Sequence, residues 1–483
     1  MLHTLSPLFE RFAERHFAVE PRRRRRLTYS ELAHASAALA ERLIACGIRP
    51  GDRVLLVSGN SLEFVVSYFA VLRLHAVAVP LGPDEEANRI HDVIVDAQPR
   101  LALIADDARP YLVDVPTMPV DLDALASAAV AHLPEVPFAA DEPIALLYTS
   151  GTTGRPKGAA LRWGHFIENI MDYGHDLDVG PTTRFIVSMP MWHIDGWTYS
   201  TLQPLLFGAS VTIAPLFDAH VAATFDQLLE PDHRNVLIAV PAMLSALIAI
   251  RGRRPSGGGQ ALNYVICGSS RLAPELQGQF ERLFDTIVLQ NYGSTEALLV
   301  AYYTRQIPYR EGSVGRIPAK CRVRILPDGQ IGVAGAYVFD GYFQDPARTG
   351  LAFEDGWYLI GDIGTVDADG YLYLHGRRND MINKAGIKFD PVEIDEIIES
   401  HPAVVESATL GIDNERQSQD IVSFVQVCQP AADLERFVKE RLPQVQWPTR
   451  IVVMDNLPRN LLGKVIKSQL RQMLTNIVAS EAV

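Results

Sequence analysis

The sequence predicts an α/β fold: a large N-terminal domain of helix-covered parallel sheets with a small β subdomain, followed by a small α+β C-terminal domain. Three observations carry that expectation. Between residue 30 and about 296, short apolar runs alternate with amphipathic stretches, the pattern of parallel strands buried beneath helices on both faces. From about 312 to 375 the helical patterns vanish, and turn signals such as Pro327-Asp328-Gly329 and Asp367-Ala368-Asp369-Gly370 separate short alternating strands. Finally, 483 residues exceed what one hydrophobic core supports, so at least two domains are expected.

Taken in order, the basic run Arg22–Arg26 reads as a solvated loop leading into a helix that Thr28 caps and Glu31 reinforces as a capping box. That helix continues over Glu31–Cys46 and stops at Gly47, where a left-handed C-cap suits glycine. RVLLVSG (53–59) is a buried strand, SLEFVVSYFAVLRL (61–74) a helix, AVAVPL (76–81) a strand, EEANRIHDVIVDA (85–97) a helix and LALIAD (101–106) a strand. The pattern resumes with strands in ALLYTSG (145–151), RFIVSMP (184–190), SVTIAP (210–215), NVLIAVP (235–241), NYVICG (263–268) and TIVLQNYG (286–293). The tract RPSGGGQ (254–260) reads as a surface loop. Past Arg377 the first clear helix begins at FDPVEIDEIIES, with Asp390 as N-cap and Pro391 in the first helical position.

Bulk composition narrows the function classes. A net charge of −13 argues against nucleic acid or an anionic membrane as the main partner. Cys46, Cys267, Cys321 and Cys428 are far apart, which offers neither a zinc site nor a disulfide frame and suits a reducing cytoplasm. The N-terminal stretch MLHTLSPLFERFAERH carries charges inside its apolar run, unlike a signal peptide. The most apolar segments are too short or are interrupted by Glu63, Arg73, His75 or Pro241, so no membrane span is expected.

Residues 148–158, YTSGTTGRPKG, combine hydroxyls, glycines and a lysine directly after a predicted strand. Such a loop converges N–H and O–H groups on one anion, and ligands of parallel sheets sit at the carboxyl ends of strands. The spacing does not fit G-x-x-x-x-G-K-[ST], because Lys157 is followed by Gly158. The loop therefore reads as phosphate-binding but of another kind.

Four further stretches follow it: MPMWHIDGW (189–197), NYGSTE (291–296), GWYLIGDIG (356–364) with GRRNDMINKAGIK (376–388), and LPRNLLGK (457–464). In this order they resemble the adenylate-forming superfamily of acyl-CoA synthetases, peptide-synthetase adenylation domains and firefly-type luciferases. The resemblance spans nearly the whole chain. It implies that a carboxylate attacks the α-phosphate of ATP to give an acyl-adenylate and pyrophosphate, and that a thiol then takes the acyl group. Two anions must meet, so such a site neutralises negative charge and excludes water.

The resemblance assigns roles residue by residue. Thr149, Ser150, Gly151, Thr152, Thr153, Gly154 and Lys157 correspond to the loop over the β- and γ-phosphates. Glu296 corresponds to the Mg²⁺ ligand, with Thr295 on the phosphate, and oxygen ligation completed by substrate phosphates suits that ion. Gly268, Ser269 and Ser270 occupy the adenine-side turn, and Asn291, Tyr292, Gly293 and Ser294 lead into Glu296, with Tyr292 stacking on adenine. Asp362 and Arg377 would reach the ribose hydroxyls. Lys464 would bridge the substrate carboxylate and the α-phosphate. The resemblance also makes the C-terminal domain mobile: residues 1–377 form the N-terminal domain, 380–483 the mobile one, and the hinge lies near Asn379, where the family usually has Asp or Lys. One orientation inserts Lys464 for adenylation; the other presents Gly386–Lys388 and opens a path for the thiol. LIGD stands in place of the commoner arginine-threonine pair before Asp362, and GQIGVAGAYVFDGYF is shorter than usual.

His193 matches an aromatic gate beside the acyl pocket, and Asp195 and Trp197 follow it, which implies a short, partly aromatic-lined pocket. A carboxylate there needs a cation or several donors. Asp195 is met either by neighbouring protein groups or by an amino group of the substrate. The expected protein is thus an AMP-forming acid–thiol ligase using ATP, Mg²⁺ and either CoA or a phosphopantetheine arm. One alternative is a stand-alone adenylation enzyme that loads an amino or aryl acid onto an acyl or peptidyl carrier protein. The other is a non-catalytic nucleotide-binding protein, against which Lys464 and Glu296 together speak.

Overall fold

The structure, a computed structural model, describes residues 4–105, 115–130, 135–149, 156–252, 262–384, 387–414, 419–459 and 465–481. The glycine-rich tract 254–260 lies outside them. Contacts divide the chain into two compact units, Met1–Val323 with Val333–Leu359, and Arg324–Gly332 with Ile360–Val483. This division differs from a boundary at 377, because the strand carrying Asp362 and the turn carrying Asn379 group with the second unit.

The first unit contains the alternating pattern. One sheet runs in the order Thr117–Pro119, Leu101–Ile104, Arg53–Val57, Val77–Leu81, Pro143–Thr149, Lys157–Arg162. Its pairs are parallel except the last, which is antiparallel. The other runs Leu298–Tyr302, Val288–Ser294, Leu262–Cys267, Arg234–Ala239, Thr183–Val187, Ser210–Ile213, His16–Glu20, Arg25–Thr28. Its centre is parallel and both of these ends are antiparallel. The antiparallel pairs are the ones joined by short connections, which leave no room for a crossover helix.

Burial follows the apolar runs. Leu55, Val57, Val79 and Leu146 of the first sheet are at most 1% exposed and pack against Val93 and Ala97 of the helix Ala87–Ala97. The helix Leu62–Arg73 is buried from Leu62 through Leu72, as expected of an element apolar on every side. The exception in that run is Glu63, which is 1% exposed. Its carboxylate accepts from Arg25 Nη1 at 2.5 Å and Nη2 at 2.9 Å. This corrects the reading of Arg22–Arg26 as solvated loop: Pro21–Arg23 is a 3₁₀ turn, Arg25–Thr28 an edge strand, and Arg25 neutralises buried carboxylates of Glu63 and Glu20. The capping box is as expected, with Thr28 Oγ1 accepting from Glu31 N at 3.1 Å and Glu31 Oε2 accepting from Thr28 N at 2.7 Å.

The region 312–375 is mostly strands, with one correction. Pro346–Ala352 forms a helix, begun by Asp345, whose side chain accepts from Arg348 N, and by Pro346 at its first position. In the second unit, strands Val404–Asp413, Gln419–Val427 and Arg450–Met454 form a sheet covered on both faces. Ile421 and Val425 pack with Ile394 and Ile398 of the helix Pro391–Glu399, while Val422 and Phe424 pack with Leu470 and Leu474. The strand's alternation separates the two sets. Asp390 caps its helix as the sequence suggested, accepting from Val392 N at 3.1 Å. No described helix is long and apolar enough to cross a membrane.

Candidate active site

In the first unit the sequence-predicted residues lie at the carboxyl ends of strands, where adjacent parallel strands leave a crevice. Thr149 ends the strand Pro143–Thr149 and pairs in register with Lys157. Ser150, Gly151, Thr152, Thr153 and Gly154 fall outside the described residues. Gly268 follows the strand Leu262–Cys267, and its N–H donates to Ala239 O at 3.2 Å. A Cβ on Gly268 would stand 1.9 Å from Asn291 Oδ1, so any larger residue would push the Asn291 side chain aside. Gly293 is more confined, since a Cβ there would lie 1.8 Å from the backbone Leu298 O. Ser294 Oγ accepts from Ala297 N at 3.1 Å and closes the turn that holds Thr295 and Glu296.

Glu296 is 8% exposed and therefore needs a partner. Tyr342 supplies one, donating from its hydroxyl to Glu296 Oε1 at 3.1 Å. The backbone explains how Tyr342 gets there. Phe339 N donates to Glu296 O at 2.8 Å, Phe343 N donates to Gly158 O at 2.8 Å, and Tyr342 bridges Ala159. The segment is thus laid along the strand Lys157–Arg162, and Lys157 Nζ sits 5.3 Å from the Tyr342 ring centroid. Burial, followed by the Glu296 charge, raises the Tyr342 hydroxyl, which keeps it a donor. Lys157, Tyr342 and Glu296 therefore form one cluster.

Sequence reasoning missed Tyr342. The available signal was its place after Gly341 in FDGYF, a stretch read only as shorter than usual. Removing its hydroxyl in Tyr342→Phe forfeits a hydrogen bond worth about 1 kcal/mol, equivalent to about a fivefold change. The Mg²⁺ concentration giving half-maximal pyrophosphate release is expected to rise by that factor. An unchanged Mg²⁺ titration would reduce Tyr342 to packing.

The acid-side residues follow the strand Thr183–Val187. His193 precedes the helix Ile194–Ser200 and accepts through its carbonyl from Trp197 N at 2.8 Å. Asp195 Oδ2 accepts from Ser269 Oγ at 2.7 Å, joining residues 74 positions apart. Trp197 is fully buried, stacked on Phe166 at 4.6 Å and edge-on to Tyr68 at 5.0 Å. Ser270 N donates to Gly268 O at 2.8 Å, and Tyr292 lies half-buried in the strand Val288–Ser294.

In the second unit, Asp362 and Arg377 face each other in register on a hairpin, with Arg377 Nε 3.2 Å from Asp362 Oδ1. Asn379 lies in the turn that follows, flanked by Arg378 N bonded to Gly361 O at 2.9 Å and by Lys467 Nζ 2.9 Å from Asp380. Lys388 lies in the strand Ile387–Phe389, opposite Asn383. Gly386 and Lys464 fall outside the described residues.

Among the described residues, no group of three or more His, Cys, Asp or Glu side chains could hold a metal by itself. One buried carboxylate with an oxygen donor set fits Mg²⁺, which keeps water and substrate phosphate in its shell, better than it fits a thiolate- or imidazole-seeking ion.

Known proteins resemble the chain over nearly its whole length. Indoleacetate–CoA ligase of Aromatoleum aromaticum is 31% identical over 500 residues, covering 95% of this chain and 97% of that protein. Sulfoacetate–CoA ligase of Cupriavidus necator is 30% identical, covering 92% of each. Among solved structures, ATP-bound MatB from Rhodopseudomonas palustris superposes with a TM-score of 0.86 at 26% identity, covering 98% of this chain and 99% of that one. O-succinylbenzoate coenzyme A synthetase from Bacillus subtilis, in complex with ATP and magnesium ion, gives 0.84 at 25% identity, covering 97% and 98%. Residues 9–343 match the AMP-binding enzyme family and residues 393–464 match the AMP-binding enzyme C-terminal domain. The chain belongs to the AMP-binding enzyme family, within the adenylate-forming superfamily.

Proposed function

We infer that the protein is an ATP-dependent carboxylic acid–CoA ligase. The acid's carboxylate oxygen attacks the α-phosphate of ATP, forming the acyl-adenylate and releasing pyrophosphate. The CoA thiol then attacks the acyl carbon, losing its proton, and AMP leaves. The reading is supported above all by full-length similarity to relatives that share acid–CoA ligation while differing in the acid. CoA is therefore the acceptor, in preference to a carrier-protein arm.

The chain's own groups take the following roles. Thr149–Gly154 and Lys157 hold the terminal phosphates, and Glu296 holds Mg²⁺, with Thr295 on phosphate. When bound, the ion offsets charge on the phosphates as pyrophosphate departs. Gly268–Ser270 and Asn291–Ser294 line the base side, with Tyr292 on the adenine ring, and Asp362 and Arg377 hold the ribose. His193 borders the acid. Lys464 meets the α-phosphate, and the C-terminal domain, residues 380–483, turns about Asn379 to exchange Lys464 for the Gly386–Lys388 face.

The test is a pyrophosphate-release screen over a panel of carboxylic acids, with CoA and a pantetheinylated carrier protein compared as acceptors. Acid-dependent pyrophosphate release followed by a CoA thioester is expected. Acid-independent ATP hydrolysis alone, or transfer only to the carrier, would overturn the reading.

A further inference from the structure

Asp195 lies in the first turn of the helix Ile194–Ser200 and accepts from Ser269 Oγ at 2.7 Å. Ser269 holds a left-handed backbone with φ 65°, which a non-glycine residue adopts only when its surroundings enforce it. The preceding Gly268 is pressed against Asn291, so Asp195, Ser269 and Asn291 meet at the same carboxyl-end crevice. Asp195 and Ser269 are both half-exposed there.

Behind them is a second feature that points to a ligand. Tyr173, on the helix Trp163–Asp176, is 1% exposed. The side chains of Tyr199 and Asn291 lie beside its hydroxyl. They interact with it as weak hydrogen-bond partners, but no hydrogen bond of full length and angle reaches that hydroxyl among the described residues. A buried O–H held only by weak contacts gains from a better-placed partner in water or ligand. The sign of the local field is also legible. Burial first, and then neighbours that include Asp195, raise the hydroxyls of Tyr173 and Tyr199 and the thiol of Cys267. These groups stay neutral, and Asp195 makes the region negative.

We propose that this end of the acid site takes a monocarboxylic acid whose tail carries a hydroxyl or amino group, and disfavours acids whose tail ends in a second carboxylate or a sulfonate. A tail hydroxyl donates to Asp195 and accepts from Tyr173; a tail ammonium donates to both. A second anion would face the Asp195 carboxylate, and a neutral tyrosine hydroxyl can offer it a hydrogen bond but no compensating charge. Asp195 and Tyr173 are then the specificity-determining residues, and this selectivity rests on the ligase reading above.

The test uses acyl-sulfamoyl adenosines, non-reacting stand-ins for the adenylate, with equilibrium binding measured calorimetrically on the full chain alongside AMP. Two matched sets serve: butanoyl, 3-hydroxybutanoyl, 3-aminobutanoyl and succinyl; and benzoyl, 4-hydroxybenzoyl, 4-aminobenzoyl and 4-carboxybenzoyl. In at least one set the hydroxy or amino member is expected to bind about 10- to 150-fold tighter than its unsubstituted partner, the range for a buried hydrogen bond to a charged group. The dicarboxylic member is expected to bind weakest. Asp195→Asn should close both gaps and leave AMP binding unchanged. Tyr173→Phe, which keeps the ring, should shrink the hydroxy preference severalfold and serves where Asp195→Asn does not fold. If the dicarboxylic members bind as tightly as the hydroxy or amino members, or the order is indifferent to both substitutions, the selectivity is wrong while the ligase reading stands. If no adenylate analogue binds better than AMP, the ligase reading itself fails.

Discussion

Replacing Lys464 with alanine is expected to lower acid-dependent ATP–pyrophosphate exchange by about 100- to 1,000-fold, the range for deleting one preorganised charge partner of a transition state. Thioester formation from a supplied acyl-adenylate should stay near the wild-type rate. The asymmetry follows from where charge develops. In adenylation the attacking carboxylate, the α-phosphate and the departing pyrophosphate crowd several negative charges together, and an ammonium at that point counts most in the transition state. In the second step the α-phosphate already carries the acyl group and pyrophosphate has left, so the same ammonium has less to neutralise. The described residues on either side of 460–464 are joined to each other: Arg459 and Val465 pair in a bridge, Ile466 N donates to Pro458 O at 2.8 Å, and Arg459 is ion-paired with Glu406. Both half-reactions should be measured on one folded preparation. If both fall by the same factor, the separate use of two domain orientations is wrong.

What the sequence made legible, and what it did not, follows from the range of the interactions. The alternation of apolar runs and helical patterns is local, so the parallel strands ending at Thr149, Cys267 and Ser294 could be anticipated. So could the capped starts at Thr28 and Asp390, where a side chain bonds its own first turn. The site's polar pairings are long-range and left no such trace. Ser269 reaches Asp195 across 74 positions, and Tyr342 reaches Glu296 across 46. Each depends on the register of a strand or loop against a distant one. Arg25 shows the same limit: a basic run usually marks solvent, yet here one member enters the protein because Glu63, 38 positions on, sits in a helix with no exposed side. The helix Pro346–Ala352 was readable from Asp345 and Pro346 but was overshadowed by the strands around it.

Glu296→Gln should produce the second large loss. The substitution keeps the side chain's length, and its amide oxygen can still accept from Tyr342, so the turn at Ser294–Ala297 and the pairing with Phe339 should be retained. What disappears is the negative charge. A neutral amide is a much poorer ligand for a hard divalent ion than a carboxylate, and Mg²⁺ takes few protein ligands to begin with. ATP turnover with any accepted acid is expected to fall by about 100-fold or more at millimolar Mg²⁺, the scale of removing one electrostatic element from a transition state. Raising Mg²⁺ should recover part of that loss, because the defect is in holding the ion; Lys464→Ala should show no such recovery. Binding gives a second readout that does not depend on turnover. The stabilisation that ATP confers on the wild-type fold should increase when Mg²⁺ is added, and in Glu296→Gln that increment should shrink while the stabilisation by ATP alone persists. A variant that melts like wild type, with the same half-saturating Mg²⁺ and the same Mg²⁺-dependent increment, would remove Glu296 from the metal site and leave its hydrogen bond with Tyr342 as a purely structural contact.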